Sequence, residues 1–133
     1  MNEPRRLWTV ARANRSLALV AKIVDDIVAR ALELKRLGAA RRVARCEERE
    51  TIERQIGDFE GEMERFAEEL TKLGCELKDP LRGLLDFPAR LGDKAIYLCW
   101  MKGEKEIAWW HPLETGIAGR RAIADLPPET RGA

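Results

Sequence analysis

Asp79, Asp86, Cys99 and His111 fall within one short stretch of the chain, and carboxylate, thiolate and imidazole are the side chains that ligate zinc-class metal ions. They lack the paired short spacing that marks a zinc site in a sequence, so the residue types allow a metal and the spacing does not ask for one. His111, the only histidine, is also a candidate general base, against the commoner reading of a histidine at a sheet edge bonded to a backbone carbonyl. A Cys99–His111 nucleophile pair needs a lowered thiol pKa, and a mid-strand cysteine among apolar neighbours has the opposite. Further on, Gly116-Ile117-Ala118-Gly119-Arg120-Arg121 offers glycine amides and two guanidiniums, the makings of an anion site at Gly119, Arg120 and Arg121. Its plain reading is a glycine-rich turn.

A sheet must position these groups. Gly92-Asp93 has the composition of a two-residue hairpin turn, which sets Leu91 against Lys94, Ala89 against Ile96, Phe87 against Leu98, Asp86 against Cys99 and Leu85 against Trp100. A symmetric second turn within Lys102–Lys105 sets Trp100 against Ile107, Leu98 against Trp109 and Ile96 against His111. Side chains alternate with period two, so Leu98, Trp109 and His111 share one apolar face. Asp86, Tyr97, Cys99 and Trp110 take the other. This parity separates His111 from Asp86, and it pairs Tyr97 with Trp110 as an exposed aromatic surface for a partner. Pro88 cannot donate to a ladder, so the Leu84–Ala89 strand should be an edge or carry its proline on the unpaired side.

Two helices precede the sheet. Thr9 is a natural N-cap, and Leu17, Val20, Val24, Ile27, Ala31 and Leu34 recur at steps of three and four. Gly38 reads as a stop, with Ala39 to Ala44 a turn or a frayed continuation of the helix. Ile52, Ile56, Phe59, Met63, Phe66, Leu70 and Leu73 repeat the pattern up to Gly74. Residues 9–38 and 44–73 thus form an antiparallel, coiled-coil-like hairpin. Residues 75–111 form a β-meander of three to four strands, with Asp79-Pro80-Leu81-Arg82-Gly83 as a turn. Residues 112–123 are an irregular return segment, closing a single α+β domain over 1–123, and the proline-rich, polar 124–133 reads as a disordered tail. Gly57 and Gly61 each cost about 1 kcal/mol inside the second helix. A bend, a close approach of the first helix, or a crossing helix from another subunit would account for them.

The 133 residues carry a formal net charge of +1, which gives no global field for nucleic acid or an anionic membrane. Single-stranded nucleic acid stacked on Tyr97, Trp110 and Met101 is further disfavoured by Asp86 and Glu106 nearby. Charge is nevertheless segregated: residues 1–46 hold eleven Lys/Arg and four Asp/Glu, and residues 47–76 hold four and eleven. Three unpaired cysteines and an opening Met1-Asn2-Glu3-Pro4 unlike a secretion signal point to a reducing cytoplasm, and no stretch is apolar enough for a membrane span.

KDPLRGLLDFPAR, AIYLCWMKGEKEIAWWH and GIAGRRAI resemble the uncharacterised bacterial family called domain of unknown function 2203, and LWTVARANRSLALVAKIVDDI resembles that family's opening. The resemblance spans roughly Leu7 to Ile123. Trp8 and Ile117 stand where members often have phenylalanine, and a proline common early in the first helix is absent. The resemblance implies a helical half followed by a motif block, with Asp79, Asp86, Cys99, Trp100, His111, Gly119 and Arg120 at motif positions. It implies no activity, cofactor or catalytic residue.

The sequence therefore favours a non-catalytic interaction or adaptor module, dimeric through its helical hairpin, or bound to another protein, without cofactor or metal. The alternative is a small ligand- or anion-binding protein or enzyme, with a site built from Asp79, Asp86, His111, Arg120 and Arg121.

Overall fold

A computed structural model describes residues 7–132. Helix α1 spans Val10–Val43, and Thr9 caps it by accepting a hydrogen bond from the Arg12 amide at 3.2 Å. The helix runs through Gly38 instead of stopping there. Leu37 beside it is buried, and that burial offsets a glycine cost of about 1 kcal/mol. Ala44 and Arg45 make the link to helix α2, Cys46–Leu73, which ends at Gly74 in the left-handed conformation with the Cys75 amide bonded back to Leu70. The antiparallel hairpin closes on Val20, Val24, Ile27 and Leu70, with Arg30 Nε donating to Glu62 across it at 3.0 Å.

Five strands follow as a plain antiparallel meander: β1 Glu76–Asp79, β2 Leu84–Leu91, β3 Lys94–Met101, β4 Trp109–Pro112 and β5 Arg121–Ala122. The fifth, beyond the three to four expected, comes from the return segment, which pairs Arg121 with Trp110. The Asp79 turn forms as its residues dictate, with Asp79 Oδ1 accepting the amides of Leu81 and Arg82 and Gly83 at φ +68°. Pro88 lies beyond the β1 pairing, and its carbonyl accepts the Trp8 amide at 2.8 Å. Trp8 ties three elements together. Its ring meets Phe87 edge-on at 5.0 Å, and its indole N–H donates to Gly74 O at 3.2 Å.

The β2–β3 register is the expected one at every pair, including Asp86 with Cys99 and Phe87 with Leu98. The β3–β4 register is not. Leu98 pairs with Trp110, Tyr97 with His111 and Cys99 with Trp109, one residue away from the symmetric-loop expectation. The loop between them is asymmetric for identifiable reasons. Glu104 accepts the Met101 amide through its side chain and the Trp100 indole through its carbonyl, while the Ile107 amide is drawn to Asn14 of α1 and its side chain is buried. A one-residue slip turns every β4 side chain over. Trp110, 5% exposed, therefore enters the core with Leu85, Phe87, Ile96 and Leu98, and Trp109, 37% exposed, faces outward. Tyr97 and Trp110 therefore lie on opposite faces of the sheet, and Trp110 is buried.

The C-terminal segment is also ordered where a disordered tail was expected. Leu126 is buried in the core, a short helix α3 covers Pro128–Arg131, and Thr130 donates to the Arg90 carbonyl at 3.1 Å. Gly132 lies so close to Thr9 that a Cβ there would come within 2.5 Å of the hydroxyl.

The register makes a direct prediction for the neighbouring tryptophans. Trp110→Ala should cost about 3–5 kcal/mol of unfolding free energy in urea, and Trp109→Ala roughly 1 kcal/mol. The expected register would reverse that order.

Candidate functional site

The sheet face turned away from the helices is ordered in rows by the strand pairing. One row runs Glu76, Asp86, Cys99, Trp109, and the next runs Pro88, Tyr97, His111. Because β4 is slipped by one, His111 lies on this face with Asp86 and Cys99, contrary to the separation expected from the sequence. Their ligand-type atoms all lie within 4.8 Å of one another, and the three residues are buried. His111 Nε2 stands 3.0 Å from Asp86 Oδ2, and Nδ1 stands 2.6 Å from the Pro112 carbonyl. A carbonyl only accepts, so Nδ1 carries a proton and Nε2 is the nitrogen presented to the carboxylate.

Burial dominates the electrostatics of this centre. It raises the Asp86 pKa against the opposing pull of His111, and it pushes the Cys99 thiol up to about 12, helped by the neighbouring Asp86 carboxyl. Asp86 Oδ1 has no hydrogen-bonding nitrogen or hydroxyl among the described residues, leaving a buried carboxylate oxygen without a strong donor. Cys99 is therefore no activated nucleophile, as its mid-strand setting implied.

The surroundings are also polar and connected. Tyr97 packs against His111 at 5.4 Å between ring centres, and its hydroxyl donates to the Glu76 carboxylate at 2.9 Å. Lys78 bridges to Glu76 at 3.0 Å and lies over the Tyr97 ring. On the other side Arg120 makes a bidentate pair with Glu104, at 2.7 and 2.8 Å, and donates to the Cys99 carbonyl at 3.1 Å. Arg120 also lies over Trp109. Glu76 and Glu104 were not candidates from the sequence, where an acidic residue in a turn or at a strand start carries no distinguishing signal.

The other sequence candidates are dispersed. Asp79 is spent on its turn. Arg121 turns to the opposite face from Arg120 and lies over Trp110, so the two guanidiniums do not converge on one anion. The space beside Gly119 is taken by Thr115, whose hydroxyl and Cβ leave no room for a side chain there, and Gly116 is at φ +60°. The glycine pair serves a tight turn.

Fold and centre together define an α+β protein with a helical hairpin on one face of a meander and a buried Asp–Cys–His trio on the other. The chain belongs to the family described as an uncharacterized conserved protein (DUF2203), whose model matches residues 6–123. No curated protein and no solved structure matches it. Among the described residues no helix is long and apolar enough to cross a membrane.

Thiol chemistry checks the burial. At pH 8 Ellman's reagent should label one thiol of the native protein, the exposed Cys46, and reach Cys75 and Cys99 only on unfolding. Both buried thiols have pKa values raised from 9.0 to about 12, so the neutral form is favoured in the fold and the ionised form in the unfolded chain. Their contribution to stability is full below pH 9 and is lost as pH rises toward 12. The protein should lose stability over that window, and Cys75→Ala should lessen the slope in denaturant melts.

Proposed function

We propose that the protein is a non-catalytic interaction module that self-associates through its helical hairpin. The observation that carries this reading is the segregation of charge on the solvent side of the two helices. Exposed on α1 are Arg15, Lys22, Lys35, Arg36, Arg41 and Arg42 against Asp25 alone, whereas α2 exposes nine acidic residues against Arg49, Arg54, Arg65 and Lys72. A two-fold axis that sets α1 of one copy beside α2 of the other brings opposite charges together, and pairing like helices would oppose them.

Exposed ion pairs contribute about 0–1 kcal/mol each and choose orientation more than they stabilise. Apolar contact must supply the affinity. Leu19 and Leu32 on α1 are each 54% exposed, and Ile56, Phe59 and Met63 on α2 remain only half-buried within the single chain. Among the described residues Gly57 has no atom near its Cβ position and Gly61 has only Arg65 of its own helix, so neither is there to admit α1. A neighbouring helix from a second copy gives the open backbone a use.

A second reading, a small ligand-binding protein or enzyme, keeps Asp86 and His111 as its working residues. Their convergence favours it, and the dispersal of Asp79 and Arg121 and the engagement of Arg120 by Glu104 limit it.

Sedimentation at micromolar concentration tests self-association. Wild-type protein should run as a dimer that weakens with salt, and Leu32→Glu should raise the dissociation constant at least tenfold, about 1.4 kcal/mol, with the helical circular dichroism unchanged. A wild-type monomer at high micromolar concentration and low salt sinks the reading.

A further inference from the structure

We propose that Asp86, Cys99 and His111 hold a single divalent metal ion of the zinc class, one carboxylate oxygen, the Cys99 sulfur and the His111 Nε2 being the donors. Three strands deliver the three side chains to one face, within 4.8 Å of each other. Metal bonds of about 2.0–2.3 Å would draw them together by roughly 1 Å or less per side chain.

Several features of the site prepare it for a cation. His111 has its Nδ1–H tied to the Pro112 carbonyl at 2.6 Å, which fixes the tautomer and leaves Nε2 facing the carboxylate, the arrangement by which ligating histidines are held. Asp86, 2% exposed, keeps one carboxylate oxygen without a strong donor, an expense that a cation removes. Cys99 is fixed on β3 by the Arg120 hydrogen bond to its own carbonyl.

Charge balance favours a dication. A carboxylate, a thiolate and a divalent ion sum to zero, and a neutral assembly is the one that a buried site tolerates. Binding releases the thiol proton and any proton shared by Asp86 and His111 to solvent, with no change in oxidation state, so affinity falls as pH falls. The mixed oxygen, sulfur and nitrogen set suits zinc, cobalt or ferrous iron and excludes magnesium and calcium, which take oxygen alone. Three protein donors leave a position for water or a small anion.

Cobalt(II) is the probe. Full-length protein stripped with chelator and titrated with cobalt(II) should bind one ion per chain, with thiolate-to-cobalt charge-transfer absorption in the near ultraviolet. Cys99→Ser should abolish that absorption, and Cys75→Ser should retain it. His111→Gln should weaken cobalt binding by about 100-fold. Because a variant at a buried position can fail to fold, wild-type protein supplies an independent reading: zinc should raise its melting temperature in proportion to the logarithm of free zinc, and magnesium should not. Absence of both charge transfer and zinc-dependent stabilisation in the wild type overturns the proposal. So does charge transfer that survives Cys99→Ser and disappears with Cys46→Ser or Cys75→Ser. Neither outcome bears on self-association.

Discussion

Trp110 and Glu104 together impose the constraint from which the rest of the sheet takes its form. Trp110 has a large apolar surface to remove from water, and the core between the sheet and α1 has room for it. Glu104 gathers the Met101 amide, the Trp100 indole and the Arg120 guanidinium onto one residue, which fixes how many residues the β3–β4 loop consumes. With the loop length set, β4 has one register. His111 follows Trp110 and must point the other way, into contact with Asp86. A polar centre buried on the outer face is the consequence of an apolar decision on the inner one.

The helices serve this sheet unequally. α1 buries residues along much of its length, from Val10 through Leu37. α2 buries only Ile52 and Leu70 and presents a half-covered seam with an acidic outer surface. The Arg30–Glu62 pair and the short link at Ala44 and Arg45 hold the arms in register without closing the outer side.

The residues around the trio act mostly as fixtures. Arg120 holds the Cys99 carbonyl and lies close enough to the thiol to act on it, Tyr97 packs against His111, and Gly119 and Gly116 shape the turn that brings Arg120 back to the sheet. Even the C-terminal segment contributes, because Thr130 bonds the Arg90 carbonyl near the end of β2 and Leu126 completes the core. Positions that look like anion ligands in the sequence are thus part of the frame around the trio.

The sequence by itself determined the local structure: the helical hairpin from its three-and-four apolar steps, the Thr9 cap, the Gly74 stop, the Asp79 turn, and the β2–β3 register from a two-residue turn that admits a single pairing. Those features depend on short-range sterics and periodicity, which a chain displays in its own order. Helix continuation through Gly38, the β4 slip, the fifth strand and the docked C-terminus were settled by partners far away in the chain. Leu37 gains from burial that its neighbours cannot reveal, Ile107 is pulled by Asn14, and Leu126 fills space left by the sheet. The meeting of Asp86, Cys99 and His111 belongs with these, because a period-two element converts one uncounted loop residue into opposite faces, and only long-range packing does that counting.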